Sequence, residues 1–270
     1  MDDILTDLST PSLQRAIKEN LFEFCRAAAQ LPHGELEEAD SLSRWYFGVP
    51  YPWFNAVLAR RAGNDGDRLR VQTAIEYFRS KQIGPFVWWL APGIVRADWE
   101  SILTPLGFGY SDDTPGLAAD LSALNENIQT PPSGFQMLIV DNEDILKTWV
   151  ATFVKGYGLP AVFYEIVYQL VLNFGFDQPS RNYVGLLDGN PVATSNVFFG
   201  AGVVGIQMVA TLPEARGQGI GAAITLQPLL DARKLGYRAG ILQSSDMGLS
   251  VYKRLGLKHL CQMENFYLSL

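Results

Sequence analysis

The stretch Arg216-Gly217-Gln218-Gly219-Ile220-Gly221 decides how this chain is read. An apolar run, Val203 to Ala210, leads into it, and a helical pattern follows from Ala222. Glycines alternating with other residues let the backbone turn tightly and approach a ligand without side-chain interference. A helix that starts here leaves its first N–H groups unpaired and carries a partial positive charge at its start. Loop and helix together therefore make an anion cradle suited to a phosphate or pyrophosphate.

Gly217, Gly219 and Ala222 also satisfy a dinucleotide-binding Gly-x-Gly-x-x-Gly/Ala pattern. Three features count against that assignment. Thr211 to Arg216 intervene between strand and loop, about fifty residues remain after it, and the next strand, Ile241-Leu242-Gln243, ends without the acid that would hold a ribose. A P-loop is excluded because Gly-Lys-Ser/Thr is absent.

Downstream, Ser245 stands seven positions before Tyr252, which opens Tyr252-Lys253-Arg254-Leu255-Gly256-Leu257. With Pro213-Glu214 upstream and Arg216, Gly219 and Gly221 at the spacing Gln/Arg-x-x-Gly-x-Gly/Ala, the segment resembles the GNAT superfamily of acetyl-CoA-dependent N-acyltransferases. The order of elements also fits: a strand at Phe135–Val140, helices at Asn142–Thr152 and Pro160–Phe174, and a hairpin turning at Asp188-Gly189-Asn190. A strand follows at Val203–Ala210, then a helix at Gly219–Leu235, a strand at Ala239–Gln243, a helix at Met247–Leu255 and one or two strands after Lys258. The resemblance implies an α+β fold, a mixed, mostly antiparallel sheet flanked by helices. Two positions depart from the pattern. Ser245 replaces the usual Asn, and Pro228 falls inside the long helix, where a missing N–H costs ~3 kcal/mol if uncompensated and kinks the helix.

The resemblance further implies that acetyl-CoA is the co-substrate. Its pyrophosphate would rest on the backbone of Gly217, Gln218, Gly219, Ile220, Gly221 and Ala222, and its pantetheine beside Val209-Ala210-Thr211. Arg216 marks the loop entrance, with a structural or a phosphate-binding side chain equally open. Tyr252 is the candidate general acid, since a phenol of pKa about 10 can protonate a leaving thiolate of thiol pKa about 8.5. Its alternative role is core packing beside Leu249 and Leu255. Ser245 bonds the cofactor or caps the helix after it, with capping favoured. Arg233, Lys234, Lys253 and Arg254 supply positive charge for a 3′-phosphate or simply solvated faces. Gln207 on the cofactor strand cannot titrate, which leaves Glu165, Glu264 or water as the base. His33 and His259 lack a triad arrangement.

The chain has 270 residues, enough for two domains, and a boundary is readable at Asn125 to Gly134, where polar residues lead into Thr130-Pro131-Pro132-Ser133-Gly134, a linker between residues 1–130 and 131–270. Leu106-Gly107-Phe108 precedes Leu121 as Leu255-Gly256-Leu257 precedes Leu270, fourteen residues after each glycine. This echo suggests a tandem duplication with a degenerate first copy that lacks the coenzyme A motif. Aromatics in that half (Trp45-Tyr46-Phe47, Tyr51 to Phe54, Trp88-Trp89) line an acceptor pocket or pack a core.

Net charge is −7; residues 133–270 hold ten basic and ten acidic side chains, so the excess lies entirely in the first half. That balance argues against nucleic acid and is compatible with an amine acceptor, small molecule or peptide. Glu165, Gln169 and Asn173 put a polar stripe on the longest apolar segment, as expected of an amphipathic helix and not of a membrane span. The start is acidic and unlike a signal peptide, and Cys25 and Cys261 show no metal-ligand spacing, so the reading is a cytoplasmic, metal-free enzyme. Two rivals stand beside an N-acyltransferase: a non-catalytic acyl-CoA sensor, and more distantly a dinucleotide-dependent enzyme.

Overall fold

A computed structural model describes residues 3–30, 34–48 and 52–270, with the side chains of Trp53, Asp112 and Asp113 outside the description. His33 and Tyr51 lie outside the described residues. In chain order the first half contains α1 (Thr10–Ala28), β1 (Glu35–Glu38), β2 (Leu42–Tyr46), β3 (Asn55–Ala59), α2 (Arg68–Ser80), β4 (Pro85–Leu90), α3 (Arg96–Leu103) and β5 (Gly109–Asp120). The second half contains β6 (Phe135–Ile139), α4 (Glu143–Tyr157), α5 (Phe163–Phe174), β7 (Ser180–Leu187), β8 (Asn190–Gly200) and β9 (Val203–Thr211). It closes with α6 (Ile220–Lys234), β10 (Ala239–Gln243), α7 (Asp246–Arg254) and β11 (Lys258–Ser269).

The chain divides into two compact units, neither of them continuous in sequence. The larger is Met1–Phe24 with Gly116–Leu260, and the smaller is Cys25–Pro115 with Cys261–Leu270. A linker at Thr130–Gly134 would put a single cut at 130/131, and the units do not follow it. Residues 125–129 are irregular, yet they stay with the larger unit, where Asn125 donates from its backbone to Leu255 O (3.0 Å) and from Nδ2 to Arg254 O (2.8 Å).

In the larger unit the strands run β5-β10-β9-β8-β7-β6. β9 and β10 are parallel and the other neighbours antiparallel. Side chains alternate between two cores, as a pleated sheet requires. Tyr183 packs with Ile224 and Leu229 of α6, and its neighbour Val184 packs with Trp149 and Val150 of α4 and Val167 of α5. The smaller unit runs β1-β2-β3-β4-β11, with β3 and β4 parallel and the other pairs antiparallel. This is the same series of pairings as β7-β8-β9-β10-β5. The duplication is therefore real, with each half's last strand completing the sheet of the other unit. The echo marks the spot: Gly107 and Gly256 both have positive φ (95° and 99°), and a strand of twelve residues follows each.

Two further placements matter. Asn20 of α1 donates to Phe198 O (3.3 Å) and Gly200 O (3.0 Å), and Gly205 of β9 leaves space that a Cβ, 2.1 Å from Asn20 Oδ1, would fill. Pro228 sits inside α6 and the helix runs through it unbroken. The carbonyl it orphans, Ile224 O, accepts from the buried Ser195 hydroxyl of β8 at 2.7 Å. The expected cost is offset by that one side chain. In the smaller unit Trp45, Phe47, Trp88 and Trp89 are buried, so these aromatics serve as core. No helix among the described residues is long and apolar enough to cross a membrane.

Candidate acyl-coenzyme A site

The site begins where β9 and β10 part. Their pairing ends at Ile206↔Leu242, and beyond it β9 continues alone on that side from Gln207 to Thr211 while still paired to β8. The departure coincides with a bulge. The β8 register jumps between Thr194 and Asn196, Met208 takes a φ of 50°, and its carbonyl accepts from Thr194 Oγ1 at 3.1 Å. A bulge bends a strand and re-aims its side chains. The result is a cleft within the larger unit of about 1040 Å³, walled by Gln207 to Thr211, the glycine loop, α7 and the 125–129 segment.

At one end of the cleft, Gly217 and Gly219 adopt φ of 74° and 81°, a region costly to residues with a Cβ. Gly219 also lies against Gln129, where a Cβ would sit 2.6 Å from the carbonyl oxygen. Gly221 differs. Its φ is ordinary and a Cβ there would touch only Thr211 Oγ1 at 3.4 Å, yet it lines the cleft. Among the described residues no neighbour requires glycine at 221, and its missing side chain leaves open space in the cleft. α6 has no side-chain cap, and its first intrahelical bond runs from Ala223 N to Gly219 O (3.1 Å), so the N–H groups of Ile220, Gly221 and Ala222 are available to an anion.

Charged groups around the loop have defined partners. Arg216 Nε donates to Thr211 O (2.9 Å) and so braces the loop against the end of β9, while Arg216 also lines the cleft. Glu214 pairs with Lys155 (2.8 Å), whose ammonium holds the carboxyl below its usual range. Arg233 pairs with Glu126 (2.9 Å) and Lys234 with Asp231 (3.0 Å), and neither lines the cleft. Among the described residues that line it, the cationic side chains are Arg216 and Arg254. Lys253 is exposed outside it.

Tyr252 is nearly buried in the cleft wall, and its hydroxyl has no hydrogen-bond partner among the described residues. Burial, and secondarily the nearby Tyr157, push its phenol above the ordinary value, so it holds its proton throughout the neutral range. Its ring lies over Gly248, where a Cβ would come 2.6 Å from Cε2 and 3.2 Å from the hydroxyl oxygen. The motifs do not single out Gly248. Its signal in the sequence is a glycine inside a helical run, four residues before the tyrosine and so on the same face. The segment Asn125 to Gln129, linker-like in composition, is the other functional part that sequence reasoning missed.

Ser245 occupies the N-cap position of α7 but makes no side-chain cap bond, and it lines the cleft. The favoured capping role is thus not the one the structure shows. Glu165 lies exposed on α5 and bonds Gln169 (2.8 Å), away from the cleft. Glu264 belongs to the smaller unit, 3.7 Å from Arg96. Among the described residues no carboxylate or histidine lines the cleft, and no group of three His, Cys, Asp or Glu side chains is placed to hold a metal.

Residues 142–257 match the model of the Acetyltransferase (GNAT) family. Over 94% of this chain and 95% of the other, the fold is similar to a GCN5-related N-acetyltransferase from Kribbella flavida (TM-score 0.70, 18% identity). A GCN5-related N-acetyltransferase from Sphaerobacter thermophilus aligns over 87% of this chain and 82% of its own (0.63, 14%). A tandem GNAT protein from the clavulanic acid biosynthesis pathway aligns over 98% and 95% (0.61, 13%). At these identities the likeness is one of fold, and no curated protein matches the chain. Residues 142–257, which contain the glycine loop and Tyr252, thus match the acetyltransferase (GNAT) family, and the fold of the whole chain is similar to that of a tandem GNAT protein.

Proposed function

We propose that this protein transfers an acetyl group from acetyl-CoA to an amine by direct attack, with the larger unit as the catalytic one. The carrying observation is Gly221, a glycine that neither conformation nor packing demands, set at the uncapped start of α6 inside the cleft. Gly217 to Ala222 would hold the pyrophosphate, and the unpaired edge of β9 from Val209 to Thr211 would lie along the pantetheine. Ser245 offers the cofactor a free hydroxyl. When bound, acetyl-CoA supplies a thioester whose acyl carbon bonds the amine nitrogen as the C–S bond breaks and sulfur keeps the electron pair.

Tyr252 donates the proton that the sulfur takes up. Desolvation keeps the phenol protonated until a thiolate beside it, itself made more basic by the same burial, takes the proton. Backbone N–H groups on the bulged part of β9 stabilise developing negative charge on the acyl oxygen. The smaller unit lacks the glycine motif and takes no coenzyme A.

Calorimetric titration with acetyl-CoA and steady thiol release across a panel of amines test this reading. We expect acetyl-CoA and free coenzyme A both to bind, and turnover with at least one amine. Tyr252→Phe should lower kcat by about 10²-fold, within the usual range for a general acid, with binding unchanged; full turnover in that variant removes the assignment. The absence of a carboxylate or histidine from the described lining favours a second reading, a non-catalytic acyl-CoA sensor. It predicts the binding without thiol release.

A further inference from the structure

Gln207 stands at the end of the cleft remote from the phosphate loop. Thr211 follows four positions along β9, roughly 13 Å of extended chain. Its side chain is half-buried, lines the cleft and has no hydrogen-bond partner among the described residues. The bulge at Met208 immediately follows it, and its partner across β8 is the buried, neutral Asn196. Of the two cations of the lining, Arg216 is tied to Thr211 at the other end.

Among the described residues, no carboxylate or imidazole lines the cleft to accept a proton near neutrality. β10 contributes Gln243, the 125–129 segment contributes amides, and α4 and α7 contribute the phenols of Tyr157 and Tyr252. Arginine stays protonated and accepts nothing. An ammonium entering this end would lose water with no anion to pair with, a large penalty. A neutral amine pays no such penalty, and its N–H can donate to Gln207 Oε1.

We propose that Gln207 orients the acceptor, and that the acceptor is a weakly basic amine that enters already unprotonated. The inference rests on the acyl transfer proposed above. The amine needs no base before attack; after its nitrogen bonds the acyl carbon, the proton it sheds passes to water while Tyr252 supplies the sulfur. An α-amino group (pKa about 8) is about one tenth unprotonated at pH 7. A lysine ε-amine (about 10.4) is about one part in 2,500 unprotonated, a preference of roughly two-hundredfold on protonation alone.

The test uses a dipeptide amide with a free α-amine and an Nα-acetyl-lysine amide. Each is titrated calorimetrically at pH 7, in buffers of different ionisation enthalpy, into the full chain saturated with free coenzyme A. We expect release of about one proton per amine bound, and a rising limb of kcat/KM whose midpoint moves with the acceptor. Gln207→Ala should raise the acceptor's dissociation constant about tenfold and leave that of acetyl-CoA alone, and Gln207→Glu should add a limb belonging to the enzyme. Binding without proton release, or a limb at one pH for both amines, overturns the proposal. So does failure of both amines to bind enzyme that takes coenzyme A normally. Failure to bind coenzyme A at all would instead remove the acyl-transfer reading beneath it.

Discussion

At the scale of single residues, the glycines of the loop separate into two kinds, and the difference can be measured. Gly217 is held at a φ of 74°, so Gly217→Ala should cost about 1–2 kcal/mol of stability, read as a lowered urea midpoint. Gly221 has helical geometry and open space, so Gly221→Ala should leave stability unchanged or raise it by about 0.5–1 kcal/mol. The same variant should weaken acetyl-CoA binding tenfold or more, because the new methyl fills the cradle. If Gly221→Ala binds as well as the parent, the pyrophosphate does not rest on this helix start. The sequence displays all three glycines as equals. Only φ values and neighbour distances show which the backbone requires and which it does not.

At the scale of elements, the second half is largely legible in the sequence. Alternation, an Asn142 cap that accepts from Asp144 N and Ile145 N, and an Asp188-Gly189 turn with two positive φ values put its strands and helices within a few residues of their places. The first half is less so. β1 is Glu-Leu-Glu-Glu, an edge strand whose charges hide its nature, and β5 contains Asp112-Asp113-Thr114-Pro115-Gly116, which spells a turn. Of that run only Gly116 pairs with β10, opposite Gln243, so the local turn signal hides a strand that continues to Asp120. Pro228 carries the cost its position implies but not the break, because the remedy, Ser195, sits on another element 29 positions before Ile224. Ser195→Ala should therefore destabilise the protein by about 1–3 kcal/mol in urea unfolding. Adding Pro228→Ala should recover much of the loss, since the restored N–H reaches Ile224 O. No recovery in the double variant would show that the serine acts elsewhere.

At the scale of the whole molecule, the apparent linker invites a truncation that the topology forbids. A chain of residues 131–270 lacks the Gly116–Asp120 strand that covers β10, the α1 residues that dock on β8 and the Asn125–Gln129 wall of the cleft. We expect it to be insoluble or to aggregate on size-exclusion chromatography and to bind no acetyl-CoA; a monomer with parental affinity would refute the discontinuous assignment. Asn20 carries this logic into the cell. Its partners, Phe198 and Gly200, follow it by 178 and 180 positions. At 5–20 residues per second the ribosome needs roughly ten to forty seconds to make them. The surface on which this helix docks is thus synthesised long after the helix itself, so the order of birth along this polypeptide is not its order of assembly.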